Sequence, residues 1–211
     1  AYRALAQPPR AIPGRALRLT RDEGATLQPF RASQGGIFRA GGLDLPIRAG
    51  QVFQVNDQVI LFTIAASLPG RQVAFGVSSG RGSWLGLDPH LVMQGLAYAV
   101  FPGRPDSVKR FVPGIQGTMV DPARTALLAD SVFRYGDLFA ADSLDLDPAA
   151  RQVTTSLSIP LLELGNAAAV RGDQAGTLRY LRRAYHLNPS LPRADIIRRV
   201  ETEGVQSLFR R

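Results

Sequence analysis

Between Leu164 and Pro189 the chain reads LGNAAAVRGDQAGTLRYLRRAYHLNP, the form of one unit from a helical repeat protein. Small residues fill the first segment, Gly172-Asp173 makes a turn, Leu181 and Ala184 recur in the second, and Pro189 closes the unit. This feature constrains the rest of the fold more than any other, because a repeat unit has two faces to bury and cannot bury both alone. Further copies are missing. Moving the frame back by one period places Leu127, Asp130, Ser131 and Arg134 at the signature positions, and they do not fit. Beyond the unit, RADIIRRVETEGVQSLFRR supplies one amphipathic helix. The unit must therefore pack between earlier helices of its own chain and a C-terminal capping helix, as an end-piece or docking face rather than part of a solenoid.

In detail the unit resembles the tetratricopeptide repeat, whose period is about 34 residues. A frame from Ser158 to Leu191 puts Leu161 and Leu164-Gly165 in the first helix, with the small residue Ala168 one turn later. Gly165 then sits where the paired helices approach closely. Two positions depart from the pattern: Leu161 stands for tryptophan, and Thr177 for the alanine at the tightest helix contact.

Upstream, helical structure is expected from Asp121. Asp121-Pro122 supplies an N-cap and an N1 proline, and Leu127, Leu128, Val132, Tyr135 and Phe139 fall on one apolar stripe. Asp147-Pro148 repeats the device, as does Asp88-Pro89 earlier, so all three aspartates are expected as caps rather than catalytic acids. Residues 35–120 read as a small α/β domain. GGIFRAGGLDLPIRAG carries a hairpin signal at Gly41-Gly42. A helix capped by Asn56 or Asp57 follows, ends at Leu68-Pro69-Gly70 and leads into the strand RQVAFGV. Then come a helical turn at Asp88 and a strand from Leu96 to Phe101. Residues 1–34, rich in Pro, Gly and Arg, read as an extended arm. The fold class expected is α+β: a small sheet with packed helices, then a helical region over 121–211 that contains the repeat-like unit at 158–191.

With 211 residues, 45% of them hydrophobic, such a chain can bury a core without staples. It has no cysteine, which excludes disulfides and thiolate metal sites. Its net charge of +8 comes from 25 basic residues of which only Lys109 is lysine. The arginines are scattered singly until the last third, where Arg179, Arg182, Arg183, Arg193, Arg198, Arg199, Arg210 and Arg211 accumulate. A solvated helix face, an acidic partner and an anionic lipid surface all fit that pattern. Nucleic acid is not expected, because no aromatic motif for base stacking accompanies the charge. The longest apolar run, VILFTIAASL, is too short to cross a bilayer. The chain starts at Ala1 without a hydrophobic signal core, so processing or excision from a longer protein is expected.

Motifs for chemistry are weak. Gly76-Val77-Ser78-Ser79-Gly80 fits the nucleophile elbow G-x-S-x-G, but a glycine-rich loop follows where the motif needs a helix. His90 and His186 are isolated, the latter expected on an exposed helix face, and make no metal site. DSLDLDP, Asp142 to Pro148, lacks the glycine and terminal glutamate of a calcium loop. No phosphate-binding or dinucleotide fingerprint occurs. No catalytic residue, cofactor, metal or small-molecule substrate is therefore expected.

The order of NDQVILFTIAASLPGRQVAFGVSSG, GLDPHLVMQGLAYAVFPG, VDPARTALLADSVFRYGDL and the repeat-like hairpin resembles the soluble C-terminal region of a bacterial membrane-protein family. That family comprises many-pass proteins similar to protein O-mannosyltransferases, of the GT-C glycosyltransferase type. Arg71-Gln72-Val73 stands at its Arg-Pro-Val-type strand, and Gly95-Leu96, Tyr98 and Pro102 at its following strand; the likeness runs from Val52 to Pro189. The resemblance implies a lipid-linked sugar transferase for full-length members, with acidic catalytic residues in a membrane region that this sequence does not contain. It implies for this chain a non-catalytic domain on the periplasmic or extracellular side, which binds a membrane-associated protein or positions an acceptor. The alternative is an accessory subunit of a larger membrane or surface complex. The candidate interaction surface is Arg179, Arg182, Arg183, Arg198, Arg199, Arg210 and Arg211.

Overall fold

A computed structural model describes residues 27–68, 70–140 and 146–209. The fold is α+β, with small sheets and five α-helices among the described residues. The chain divides into two compact units, Ala1–Val73 and Ala74–Arg211. The division falls inside the stretch 35–120 expected to be one domain. Of the expected arm, residues 1–26 lie outside the described residues.

In the first unit, β1 (Phe30–Arg31) pairs antiparallel with β4 (Val52–Phe53), and β2 (Gly36–Ala40) pairs with β3 (Leu43–Ile47). The expected hairpin turn is present: Gly41 and Gly42 have φ of 54° and 87°, the left-handed pair that a two-residue turn requires. Alternation along β3 buries Leu43 and Leu45 and leaves Asp44 exposed. Helix α1 spans Val55–Ser67. Its N-cap is Gln54 rather than Asn56 or Asp57. Asp57 works from inside the first turn, accepting the Gln54 N–H at 2.8 Å. Leu61 and Ile64 face inward, and buried Gln58 donates to the Gln28 carbonyl at 2.8 Å.

The second unit holds a five-stranded sheet in the order β5 (Ala74–Gly76), β7 (Ala97–Val100), β6 (Leu91–Gln94), β9 (Met119–Val120), β8 (Val112–Pro113). Only the β6/β9 pair is parallel. The expected strand at 96–101 is thus one arm of a hairpin whose other arm, β6, the sequence did not reveal. Leu91, Val92 and Met93 are all fully buried, and a strand covered on both faces has no alternation to read.

No break separates this sheet from the helices. The Asp121 N–H donates to the Met93 carbonyl at 3.0 Å, and Asp121 Oδ1 caps α2 (Pro122–Leu127) through the Arg124 N–H at 3.1 Å. Thr125, with no exposure, bonds both Gly95 N–H and Met93 carbonyl. After α2 the chain widens into a π-turn over Leu128–Val132 and then leaves the helix. The stripe expected from Leu127 to Phe139 is therefore not one helix face: Leu127 and Val132 are 51% and 55% exposed, while Ala129 points into the core.

Helix α3 (Pro148–Val170) and α4 (Gln174–Leu187) form the expected hairpin. Asp147 caps α3 through the Ala150 N–H at 2.8 Å, so the first helix starts ten residues before the frame set by Ser158. A Cβ placed on Gly165 would lie 2.7 Å from Leu181 Cδ2, which is why a glycine stands there. The Thr177 hydroxyl is satisfied by the Asp173 carbonyl at 2.7 Å, which lets a hydroxyl stand at the tight contact. Both faces of the hairpin are covered. Leu161, Leu164, Tyr180, Ala184 and Leu187 meet Ala129, Phe133, Tyr135 and Phe139, and Leu181 meets Ile197 and Val200 of α5 (Ala194–Glu203).

Candidate interaction surface

Helix α4 carries Arg179, Arg182 and Arg183, and their positions relative to the 128–139 segment decide their roles. Asp130, in the π-turn, accepts from Arg179 Nη2 at 2.8 Å, from Tyr180 Oη at 2.7 Å and from Arg183 Nη1 at 2.5 Å. The Tyr180 hydroxyl also receives a bond from Arg179. The Arg183 guanidinium lies over the rings of Tyr135 and Phe139, 5.5 and 5.2 Å from their centroids. Burial on its own would raise the Asp130 carboxyl, but the bonds from Tyr180 and Arg183 and the charges of Arg179 and Arg183 outweigh it and hold it below the usual aspartate value. Arg179 and Arg183 thus clamp the 128–139 segment to α4.

Arg182 points to the other side and pairs with Glu201 of α5 at 2.7 Å, its side chain 61% exposed. Arg193 pairs with Asp195 at the start of α5. Arg198 and Arg199 are exposed and form no ion pair among the described residues. Arg210 and Arg211 lie outside those residues. The seven arginines proposed from sequence therefore separate into two held inside a clamp, one bridging α4 to α5, two facing solvent, and two undescribed.

Sequence reasoning missed Glu163. It is 1% exposed on α3 and accepts the Ile115 N–H with both carboxylate oxygens, at 3.1 and 2.9 Å. Asn166, one turn on, donates to the Pro113 carbonyl at 3.0 Å. Together they fasten the β8–β9 turn to the hairpin. Burial pushes the Glu163 carboxyl above its usual value, against the pull of the Ile115 and Gln116 N–H groups. Next to it, Tyr98 donates to Gln116 Oε1 at 3.0 Å, and burial followed by the nearby Glu163 carboxylate pushes its hydroxyl up, opposed by Arg81. A glutamate in an Ala- and Leu-rich helix gives no sequence signal that it faces inward.

Ser78 lines an apolar cavity of ≈ 370 Å³ with Val77, Leu96, Val153 and Leu157. The histidines are engaged elsewhere: His90 Nδ1 lies 2.9 Å from the Gly103 carbonyl, and His186 Nε2 lies 2.7 Å from the Leu138 carbonyl. His186 is half-buried against Phe139, not on an exposed face as expected. Asp88 makes no cap bond; it accepts from Arg81 Nε and Nη2 at 3.0 and 2.7 Å beside buried Trp84. Among the described residues no group of three or more His, Asp or Glu side chains converges on a metal position. Residues 142–145 of the calcium-like stretch lie outside the described residues, while Asp147 serves as a cap. Among the described residues no helix is long and apolar enough to cross a membrane. No protein-family model matches this chain, and neither a curated protein nor a solved structure matches it.

Proposed function

We propose that this chain is a non-catalytic, exported domain related to membrane glycosyltransferase-like proteins, placed on the periplasmic side, where it binds a membrane-associated protein or positions an acceptor. The observation that carries this is the lone hairpin. Its two broad faces are packed against its own chain, and beside it Arg198 and Arg199 of α5 face solvent and offer a charged surface to a partner. The surroundings of Ser78, with both histidines bonded to backbone carbonyls, favour this over a hydrolase.

Attachment to native membranes tests it. The purified chain is expected to be retained on native membranes at low salt and released as salt rises, since surface ion pairs are screened over roughly 10 Å at 0.1 M salt. Neutralising Arg198, Arg199, Arg210 and Arg211 together, or removing residues 1–30, is expected to weaken retention. A chain that stays free and monomeric at low salt, with both changes silent, defeats the proposal.

A further inference from the structure

At the open end of the hairpin, the start of α3 and the end of α4 enclose a cleft of ≈ 860 Å³. Its size falls in the range of ligand pockets, roughly 300–1,000 Å³. Arg151 and Arg182 line it, with Thr155, Tyr185, Leu187 and Pro189, and among the described residues no carboxylate does. Among the described residues both arginines are oriented yet unsaturated. Arg151 donates through Nε to the Leu146 carbonyl at 2.9 Å, and Arg182 through Nη2 to Glu201 at 2.7 Å. A guanidinium has five N–H groups, so each retains a fork able to grip a carboxylate. Glu201 offsets the Arg182 charge, while Arg151 forms no ion pair among the described residues, so Arg151 supplies the positive charge of the cleft and Arg182 adds its free N–H groups.

We infer that this cleft receives an acidic segment of the protein partner, a carboxylate side chain between Arg151 and Arg182 with an apolar neighbour against Leu187, Pro189 and the Tyr185 ring. A bare oxyanion would leave most of the volume and all of the apolar lining unused, which is what favours a peptide. The inference rests on the proposed role as an interaction domain and names the chemistry of the partner.

The test uses the full chain and a fluorescein-labelled peptide of alternating glutamate and leucine, followed by anisotropy at low salt. Replacing Arg151→Gln and Arg182→Gln together is expected to weaken binding by roughly tenfold or more, the loss of two charge-assisted contacts. Replacing Arg104→Gln and Lys109→Gln, which removes the same charge from exposed positions outside both the cleft and the arginine-bearing surface, is expected to change it less than about twofold. Equal losses from the two pairs, or equal binding of a peptide with glutamine for glutamate or glycine for leucine, overturn the inference. Should the cleft variant melt below its parent, peptide-induced protection of the 185–190 amides in the unaltered chain replaces it, and unchanged exchange there overturns the inference. Membrane retention separates the two claims. Retention that depends on Arg198 and Arg199 but not on Arg151 and Arg182 overturns the cleft and keeps the interaction role. Cleft binding without any membrane retention does the reverse.

Discussion

The two flanks of the α3–α4 hairpin solve one problem in opposite ways. On one flank, Asp130 fastens the 128–139 segment with two arginines and a tyrosine, at a site where its side chain keeps 30% of its exposure. On the other, Glu163 fastens the 113–118 turn through backbone N–H groups in a fully buried position, with no cation bonded to it among the described residues. The carboxyl groups shift in opposite directions as a result, Asp130 down and Glu163 up. An exposed ion network is weak, screened and replaceable by water, whereas a buried acceptor has no substitute if removed. The quiet flank should therefore matter more to stability than the one with more charges.

The largest effect is expected where both flanks depend on the same contact. Gly165→Leu drives a side chain into Leu181 and separates the helices that carry Asp130's partners and Glu163; overpacking of this kind costs about 3 kcal/mol, or roughly 10 °C in Tm for a chain of this size. A melting curve within about a degree of the parent would remove the basis of the comparison. Next comes Glu163→Ala, which leaves the Ile115 and Gln116 N–H groups without their acceptor and is expected to cost about 2–3 kcal/mol by denaturant titration. Asp130→Ala, where water can reach the freed arginines, is expected to cost about 1 kcal/mol. If the order of these two is reversed, the ion network is the stronger clamp.

The pH profile sharpens the contrast. Glu163 holds its proton more tightly in the folded chain, so its contribution is full below the ordinary glutamate value of about 4.3 and is lost as pH rises through the raised folded value. Asp130 behaves in reverse: its contribution is full above the ordinary aspartate value of about 3.9 and is lost as pH falls through the lowered folded value. Melting scans against pH are expected to show Glu163→Gln flattening the decline on the rising side and Asp130→Asn flattening the acid side. Identical profiles for the two variants would mean that the carboxyls do not differ. The smallest effect is expected at Ser78, which lies on neither flank: Ser78→Ala should leave Tm unchanged and abolish no labelling by a fluorophosphonate probe, and stoichiometric labelling at Ser78 in the parent would contradict that.

The sequence by itself determined the elements whose signals are local. The Asp121-Pro122 and Asp147-Pro148 caps and the Gly41-Gly42 turn depend on residues within a few positions of one another, and the α3–α4 hairpin, with Gly165 against Leu181, on the pattern of a single repeat-like unit. Tertiary structure decided the rest. Strand β6 is buried on both faces by partners distant in sequence, so its run of apolar residues carries no period. The arginines of α4 lie close together in sequence but have two fates, because the π-turn brings Asp130 to Arg179 and Arg183 and α5 brings Glu201 to Arg182. Glu163 is inside because the β8–β9 turn, 48 residues earlier, offers it an N–H group. Which charged side chain is exposed, paired or buried depends on what faces it, and what faces it is fixed by long-range packing that no local pattern encodes.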